Sequence, residues 1–159
     1  MNGFVNSGGT REKPRILVLG FGNPGRQDDA LGPSVAEAIE RANLPGVRVE
    51  TDYQLNIEDS AEVAEHDVVI FTDAAISGPE PFAMERIEAA SEISFSSHSV
   101  SAESVLAASA EHFGALPEAW LLGVRGYSFE FGDGLTLRAQ ENCRAAIAFI
   151  RKWIEARKE

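Results

Sequence analysis

The amino-acid sequence predicts an α/β fold, in which helices cover both faces of a mostly parallel sheet of about five strands. Two observations predict this fold. The richest apolar runs are short and lack polar alternation, which is typical of strands buried on both faces of a sheet. Stretches with apolar residues at helical spacing lie between these runs, and strands that alternate with helices favour parallel pairing.

Four of the strands are predicted directly from these apolar runs. They are expected at residues 15–20, 47–53, 67–72 and 119–124. Ile93 and Phe95 alternate with serines, which predicts a fifth strand nearer an edge of the sheet.

Helices are predicted from the amphipathic patterns between and after the strands. They are expected at residues 30–42, 58–65 and 102–113, with a last helix at about 137–156. Ser101 precedes the third of these helices and carries a hydroxyl that can serve as an N-cap. The two long stretches expected to be irregular are residues 77–85 and 125–135.

Length and composition indicate a single domain. A chain of 159 residues is long enough to bury a sizeable core, with residues 1–13 expected as a flexible tail and residues 14–159 as the domain. Cys143 is the only cysteine, which excludes an internal disulfide. The chain has no apolar stretch of the roughly 18 residues that span a membrane, and its N-terminal residues lack the apolar core of a signal peptide. We therefore expect a cytoplasmic protein that does not bind a membrane.

The charge balance argues against a polyanionic partner. The chain has 25 acidic and 14 basic residues, which give a formal net charge of -11. Nucleic acid would be repelled by such a protein unless its basic residues were concentrated in one patch, and the sequence shows no such patch. Nucleic acid is therefore not expected as a partner.

A glycine-rich turn is predicted between the first strand and the first helix of the sheet. Gly20, Gly22 and Gly25 match the glycine spacing of a dinucleotide-binding turn. Asp28 and Asp29, however, stand where the pyrophosphate would lie, and like charges in a partly dry cleft oppose binding. The turn therefore favours a cation over a nucleotide.

Polar residues follow the predicted strands at the edge where a parallel sheet binds ligands. Asp29 follows the first strand, Gln54 the second, Asp73 the third and His98 the predicted edge strand. Two or three carboxylates, counting Asp28 beside Asp29, and one imidazole form an open ligand set that suits a divalent transition metal, with nickel and zinc both acceptable. The sequence thus predicts a cation-binding crevice.

Several of these residues also have a structural explanation. Acidic residues at a helix start can cap its free N–H groups, and adjacent residues do not share a face. We assign Asp28 to such a structural role and Asp29 to the crevice, partly because of the family resemblance given below. Gln54 would bind the backbone of a bound segment or form a loop hydrogen bond. Cys143 lies on the apolar stripe of the last helix, where a small buried side chain is expected.

Four ordered blocks of the sequence resemble the hydrogenase maturation endopeptidases. These blocks are residues 16–23, 28–32, 69–74 and 97–99. Members of that family remove a C-terminal extension from the large subunit of nickel-iron hydrogenases after nickel insertion. The resemblance implies a three-layer α/β/α sandwich, and it maps the nickel-binding residues onto Asp29, Asp73 and His98.

The resemblance also implies an unusual use of the metal. The nickel would be supplied by the substrate, a hydrogenase large-subunit precursor, and Asp29, Asp73 and His98 would complete its coordination during cleavage. Gly22, Asn23 and Gln54 would bring the substrate close to the sheet. Some members of the family carry Glu at the position of Asp29. The oligomeric state of the chain stays open, with a monomer as the simplest expectation.

Two other functions are kept as alternatives. The segment 20–25 is similar to the opening motif of bacterial peptidyl-tRNA hydrolases, which carry an asparagine at the Asn23 position. That family has a histidine soon after the motif, where this chain has its two aspartates. The other alternative is a metal-binding or partner-binding module without catalytic activity. The aromatic residues of segment 125–135 would either dock a partner or pack on their own domain; they are Tyr127, Phe129 and Phe131.

Overall fold

The structure is a computed structural model that describes residues 4–5, 11–91 and 100–157. A five-stranded sheet forms its centre, in the order β4-β3-β5-β7-β6. The strands of this sheet are β3 (Ile16–Phe21), β4 (Val47–Asp52), β5 (Val68–Ala75), β6 (Phe82–Ile87) and β7 (Glu118–Arg125). A separate antiparallel pair is formed by β1 (Phe4–Val5) and β2 (Arg11–Glu12).

Helices lie on both faces of the sheet. They are α1 (Leu31–Ala42), α2 (Asp59–Ala64), α3 (Ala102–Phe113) and α4 (Leu137–Arg157). The apolar side chains of α1 and α4 share one buried cluster with Ile16 and Val18 of β3. Those of α2 and α3 share a second cluster with Leu17 and Leu19 of the same strand. Successive residues of β3 thus face opposite layers, and the predicted α/β/α sandwich is confirmed.

The sheet is mostly parallel, as predicted. β4, β3, β5 and β7 are parallel to their neighbours, whereas β6 pairs with β7 in the antiparallel sense. The predicted strand at Ile93 and Phe95 lies outside the described residues. The observed edge strand β6 falls largely within residues 77–85, which were expected to be irregular, and this expectation was wrong for its second half.

The composition around β6 explains why its strand pattern was missed. Gly78, Pro79 and Pro81 precede it closely, and such residues are typical of loops. Phe82 and Met84 nevertheless alternate with their neighbours and pack against the buried cluster beneath α4. A short edge strand paired on one side only leaves a weak local signal.

Helix α3 shows how local signals set its ends. The Ser101 side chain accepts a hydrogen bond from the Ser104 N–H at 3.1 Å and so acts as the expected N-cap. Gly114 ends the helix with a left-handed backbone conformation, at φ 66°. The observed bounds match the predicted residues 102–113.

Helix α1 is held against the carboxyl end of β5. The Thr72 hydroxyl, which is fully buried, donates a hydrogen bond to the Gly32 carbonyl at 2.8 Å. This bond fixes the first turn of the helix beside the strand that carries Asp73. Within the described ranges, the chain forms no helix that is both long and apolar enough to cross a membrane.

Candidate active site

Asp29 and Asp73 lie at the carboxyl end of the parallel strands. Asp29 belongs to a 3₁₀ turn, Gln27–Ala30, between β3 and α1. Asp73 was expected just after its strand, but β5 continues to Ala75 and Asp73 pairs with Gly123 of β7. Both carboxylates therefore reach the crevice, one from a turn and one from the sheet.

The Asp29 carboxylate is held by a backbone N–H of the turn after β3. The Asn23 N–H donates a hydrogen bond to Asp29 Oδ2 at 2.7 Å. The Asn23 side chain is engaged in the same turn, since its Oδ1 accepts from the Gly25 N–H at 2.9 Å. Gly22 has φ 149°, and a Cβ on it would lie 2.0 Å from the Asp29 carbonyl oxygen. In the free protein, Gly22 and Asn23 thus support Asp29, and their role in binding substrate stays a prediction.

The Asp73 carboxyl titrates close to neutral pH. Burial raises the pKa of Asp73, the Ala74 N–H lowers it by donating to Oδ1, and the nearby charge of Asp29 raises it again, to about 7. Two carboxyls close enough to interact are rarely both ionised in a partly dry site. A cation would favour the ionised form of each, so this crevice is suited to a positively charged ligand.

Asp28 has a structural role different from the expected helix cap. It is fully buried, and no side-chain capping bond is found at the start of its own turn. Its carboxylate accepts hydrogen bonds from Tyr127 N (2.8 Å), Ser128 N (3.1 Å), Thr136 N (2.8 Å) and Thr136 Oγ1 (2.8 Å). Burial raises the pKa of Asp28, but these bonds outweigh it and leave the pKa below its ordinary value.

The remaining predicted site residues are not brought into this group by the described structure. Gln54 is exposed in the loop after β4, where its carbonyl accepts from Asn56 Nδ2 at 3.4 Å. His98 lies outside the described residues, so its predicted role as a ligand stays a prediction. Within residues 11–91 and 100–157, no three acidic, histidine or cysteine side chains are arranged to hold a metal ion.

Three exposed apolar side chains, called the apolar rim, lie in segments that follow the carboxyl ends of strands, and the sequence reasoning missed two of them. Tyr53 follows β4, Ile76 follows β5 and Phe131 follows β7, with exposed fractions of 68%, 76% and 82%. Tyr127 instead packs against the core, and its hydroxyl accepts from Asn142 Nδ2 at 2.8 Å. The signal available in the sequence was the position of these residues, since each of the three follows the end of a parallel strand.

Arg26 lies beside this rim. Its guanidinium stacks over the Phe131 ring at 4.6 Å from the centroid. Among the described side chains, no carboxylate forms an ion pair with it. The rim therefore combines an exposed ring with a cation, beside a crevice that is acidic.

The fold is that of an α/β protein with two carboxylates, Asp29 and Asp73, at the carboxyl end of its parallel strands. A comparison with models of known protein families finds no match, and a comparison with curated proteins finds none either. Solved structures, in contrast, match over most of the chain.

Several of the matching structures are hydrogenase maturation endopeptidases. HybD from Escherichia coli is 24% identical, with a TM-score of 0.70 over 89% of this chain and 93% of that one. The [NiFe] hydrogenase maturation protease HycI from Thermococcus kodakarensis KOD1 is 23% identical, with a TM-score of 0.68 over 89% and 92%. An endopeptidase from Escherichia coli is 25% identical, with a TM-score of 0.64 over 86% and 89%. The chain has the fold of these proteins, and the resemblance predicted from its sequence blocks is confirmed.

Proposed function

We propose that this protein is an endopeptidase that removes the C-terminal extension of a nickel-iron hydrogenase large-subunit precursor after nickel insertion. The observation that carries the proposal is the meeting of Asp29 and Asp73 at the carboxyl end of a sheet with this fold. Both positions come from sequence blocks that resemble the family, and two solved structures with this fold are named as a hydrogenase maturation endopeptidase and a [NiFe] hydrogenase maturation protease.

The electrostatics of the crevice favour recognition of a metal that arrives with the substrate. Asp73 has a pKa of about 7 and lies near Asp29, so at neutral pH about half of the molecules carry a proton on Asp73, which a bound cation would displace. Carboxylates together with the imidazole of His98 suit nickel. The nickel of a loaded precursor would complete this group, and a nickel-free precursor would not.

The chain's own residues then orient the cleavage. The Asn23 N–H holds Asp29 Oδ2, and Asp29 Oδ1 would bind the nickel. With both carboxylates and His98 on the nickel, the metal would polarise the scissile carbonyl or activate a water for attack. Cleavage becomes conditional on metal loading because the same groups recognise the metal and hold the peptide segment.

The decisive experiment compares nickel-loaded and nickel-free precursor, with intact mass as the readout. We expect a defined C-terminal peptide to be released from the loaded form alone. Asp29→Asn, Asp73→Asn and His98→Ala should each abolish release while the protein stays folded. Glu111→Gln is the matched control, since Glu111 is an exposed carboxylate near the end of α3, away from the carboxyl end of the parallel strands.

Three results would contradict the proposal. Normal processing by the folded Asp29, Asp73 and His98 variants would show that these groups are not used. Equal processing of both precursor forms would show that nickel is not recognised. Stable binding of the precursor without peptide release would identify a binding module in place of a protease.

A further inference from the structure

Two loops at the carboxyl end of the sheet are bound together along their backbones. The glycine loop comprises residues 22–30, and the clamp loop comprises residues 126–136 between β7 and α4. Gln27 N donates to the Gly132 carbonyl at 3.0 Å, and Gly132 N donates to the Gly25 carbonyl at 2.9 Å. Asp28 N donates to the Ser128 carbonyl at 2.9 Å. The clamp loop is therefore hydrogen-bonded to the middle of the glycine loop.

The Asp28 carboxylate is the centre of this contact. Its Oδ2 accepts from Tyr127 N, Ser128 N and Thr136 Oγ1, and its Oδ1 accepts from Thr136 N. A Cβ on Gly126 would lie 2.9 Å from Asp28 Cβ, so the clamp loop approaches as closely as a glycine allows. Since Asp28 is fully buried, water cannot replace a donor that is lost.

The contact ends one residue before Asp29. Gln27 has φ 46°, a left-handed conformation that is strained for a residue with a side chain. The Ser128 hydroxyl donates to Gln27 Oε1, and together with the Gly132 contact it holds this conformation. Asp29 N then donates to the Arg26 carbonyl at 3.1 Å, which closes the turn and directs the Asp29 side chain towards the Asn23 N–H.

We propose that Asp28 is a positioning residue, which fixes the Asp29 carboxylate by holding the clamp loop against the glycine loop. The effect of Asp28 on cleavage rests on the proposed function. Asp28 does not touch the substrate in this scheme. Its charge is matched by four donors from the clamp loop, and the geometry of that loop determines where the next residue of the glycine loop points.

The test uses the full chain with Asp28→Asn. The amide keeps the size of the carboxylate, but its NH2 group must face at least one of the four N–H or O–H donors. Asn142→Ala is the matched control, because Asn142 donates to the Tyr127 hydroxyl of the same loop and to the carbonyl of Arg125, the residue before that loop. It has no hydrogen bond to the glycine loop.

Two readouts separate positioning from stability. The first is the NMR signal of the Asn23 amide proton, which reports the hydrogen bond to Asp29 and needs no substrate. The second is the steady-state cleavage of nickel-loaded precursor. Asp28→Asn should shift the Asn23 amide signal and lower kcat about 10- to 100-fold with KM little changed, as for groups that orient a metal ligand. Asn142→Ala should destabilise the protein and leave both readouts as in the wild type.

A second pair of variants covers the case in which Asp28→Asn does not fold. Thr136→Val removes the hydroxyl donor while Thr136 N still donates to Asp28, so a smaller change in the same direction is expected. Thr136→Ser keeps the hydroxyl, so both readouts should stay as in the wild-type protein.

An unchanged Asn23 amide signal in these variants would overturn the proposal, as would equal losses of kcat in Asp28→Asn and Asn142→Ala. If the wild-type protein cleaves no precursor, the proposed function fails. The NMR signal of the Asn23 amide proton alone then tests whether Asp28 positions Asp29.

Discussion

Asp28 and Asp29 carry the same side chain one residue apart, yet their surroundings differ. Asp28 is fully buried and accepts four hydrogen bonds, whereas one backbone N–H holds Asp29. Asp73, the third carboxylate of this region, is partly buried with a single local donor. The number of donors thus separates a group that holds the structure together from groups that can accept a ligand.

The raised pKa of Asp73 predicts how stability depends on pH. The folded pKa is about 7 and the ordinary value is 3.8, so between these values the folded state keeps a proton that the unfolded state has lost. Asp73 therefore lowers the free energy of unfolding as pH rises from about 4 to about 7, and the loss is complete above pH 7.

Asp73→Asn should remove this loss. We expect the variant to be more stable than the wild type by roughly 2–4 kcal/mol at pH 8, with little difference near pH 4. Urea unfolding at both pH values measures the change, and Asp133→Asn serves as an exposed control. A stability difference that is the same at both pH values would show that Asp73 titrates normally.

At the scale of the elements, local signals placed the helices well and the sheet less well. The pattern of residues 102–113 and the Ser101 cap were sufficient to predict α3 because both depend on neighbours in sequence. β5 runs to Ala75, beyond the predicted end, because β7 pairs with its last three residues. Pairing of this kind depends on distant residues and has no local signal.

The clamp loop makes a prediction about the partner. The Phe131 ring is the most exposed large apolar side chain of the described residues, and it lies under Arg26 in the apolar rim. If the precursor docks on this rim, Phe131→Ala should raise KM about 10-fold, the loss of roughly one interface anchor, with kcat unchanged. Steady-state cleavage of loaded precursor measures both constants.

Leu116→Ala is the control for this prediction. Leu116 is 59% exposed but lies between α3 and β7, at the opposite end of the sheet. Neither substitution should change stability much, since both side chains are mostly in solvent. A rise in KM for both variants, or for neither, would remove Phe131 from the docking surface.

At the scale of the whole molecule, one sheet connects two apolar layers. Ile150 of α4 belongs to the layer that contains α1, and Leu106 of α3 belongs to the other. Both side chains are almost completely buried. Both layers include residues of β3, β5, β6 and β7, so they should unfold together.

Ile150→Ala and Leu106→Ala test this single cooperative domain. Each should lower the free energy of unfolding by about 2–5 kcal/mol, the usual cost of such a truncation in a core. Circular dichroism and the fluorescence of Trp120 and Trp153 should report the same transition in both variants. Separate transitions for the two signals would indicate that the layers unfold independently.

The overall architecture was predictable because alternation of strands and helices constrains the layers and the ligand-binding edge. The placement of Asp29 and Asp73 at that edge was predictable, whereas the role of His98 stays a prediction. The contact between Asp28 and Thr136 was not, because the two residues are 108 positions apart and neither stands in a pattern that indicates the other. Long-range hydrogen bonds of this kind arise from the packed loops.

The separation of these two residues also matters while the protein is being made. A ribosome that has added residue 120 has produced the whole of β3, α1 and β5, including both crevice carboxylates. The donors for Asp28 at residues 127, 128 and 136 have not yet been synthesised at that point. A nascent chain of that length carries Asp29 and Asp73 but not the loop that orders the turn, so the site matures late in translation.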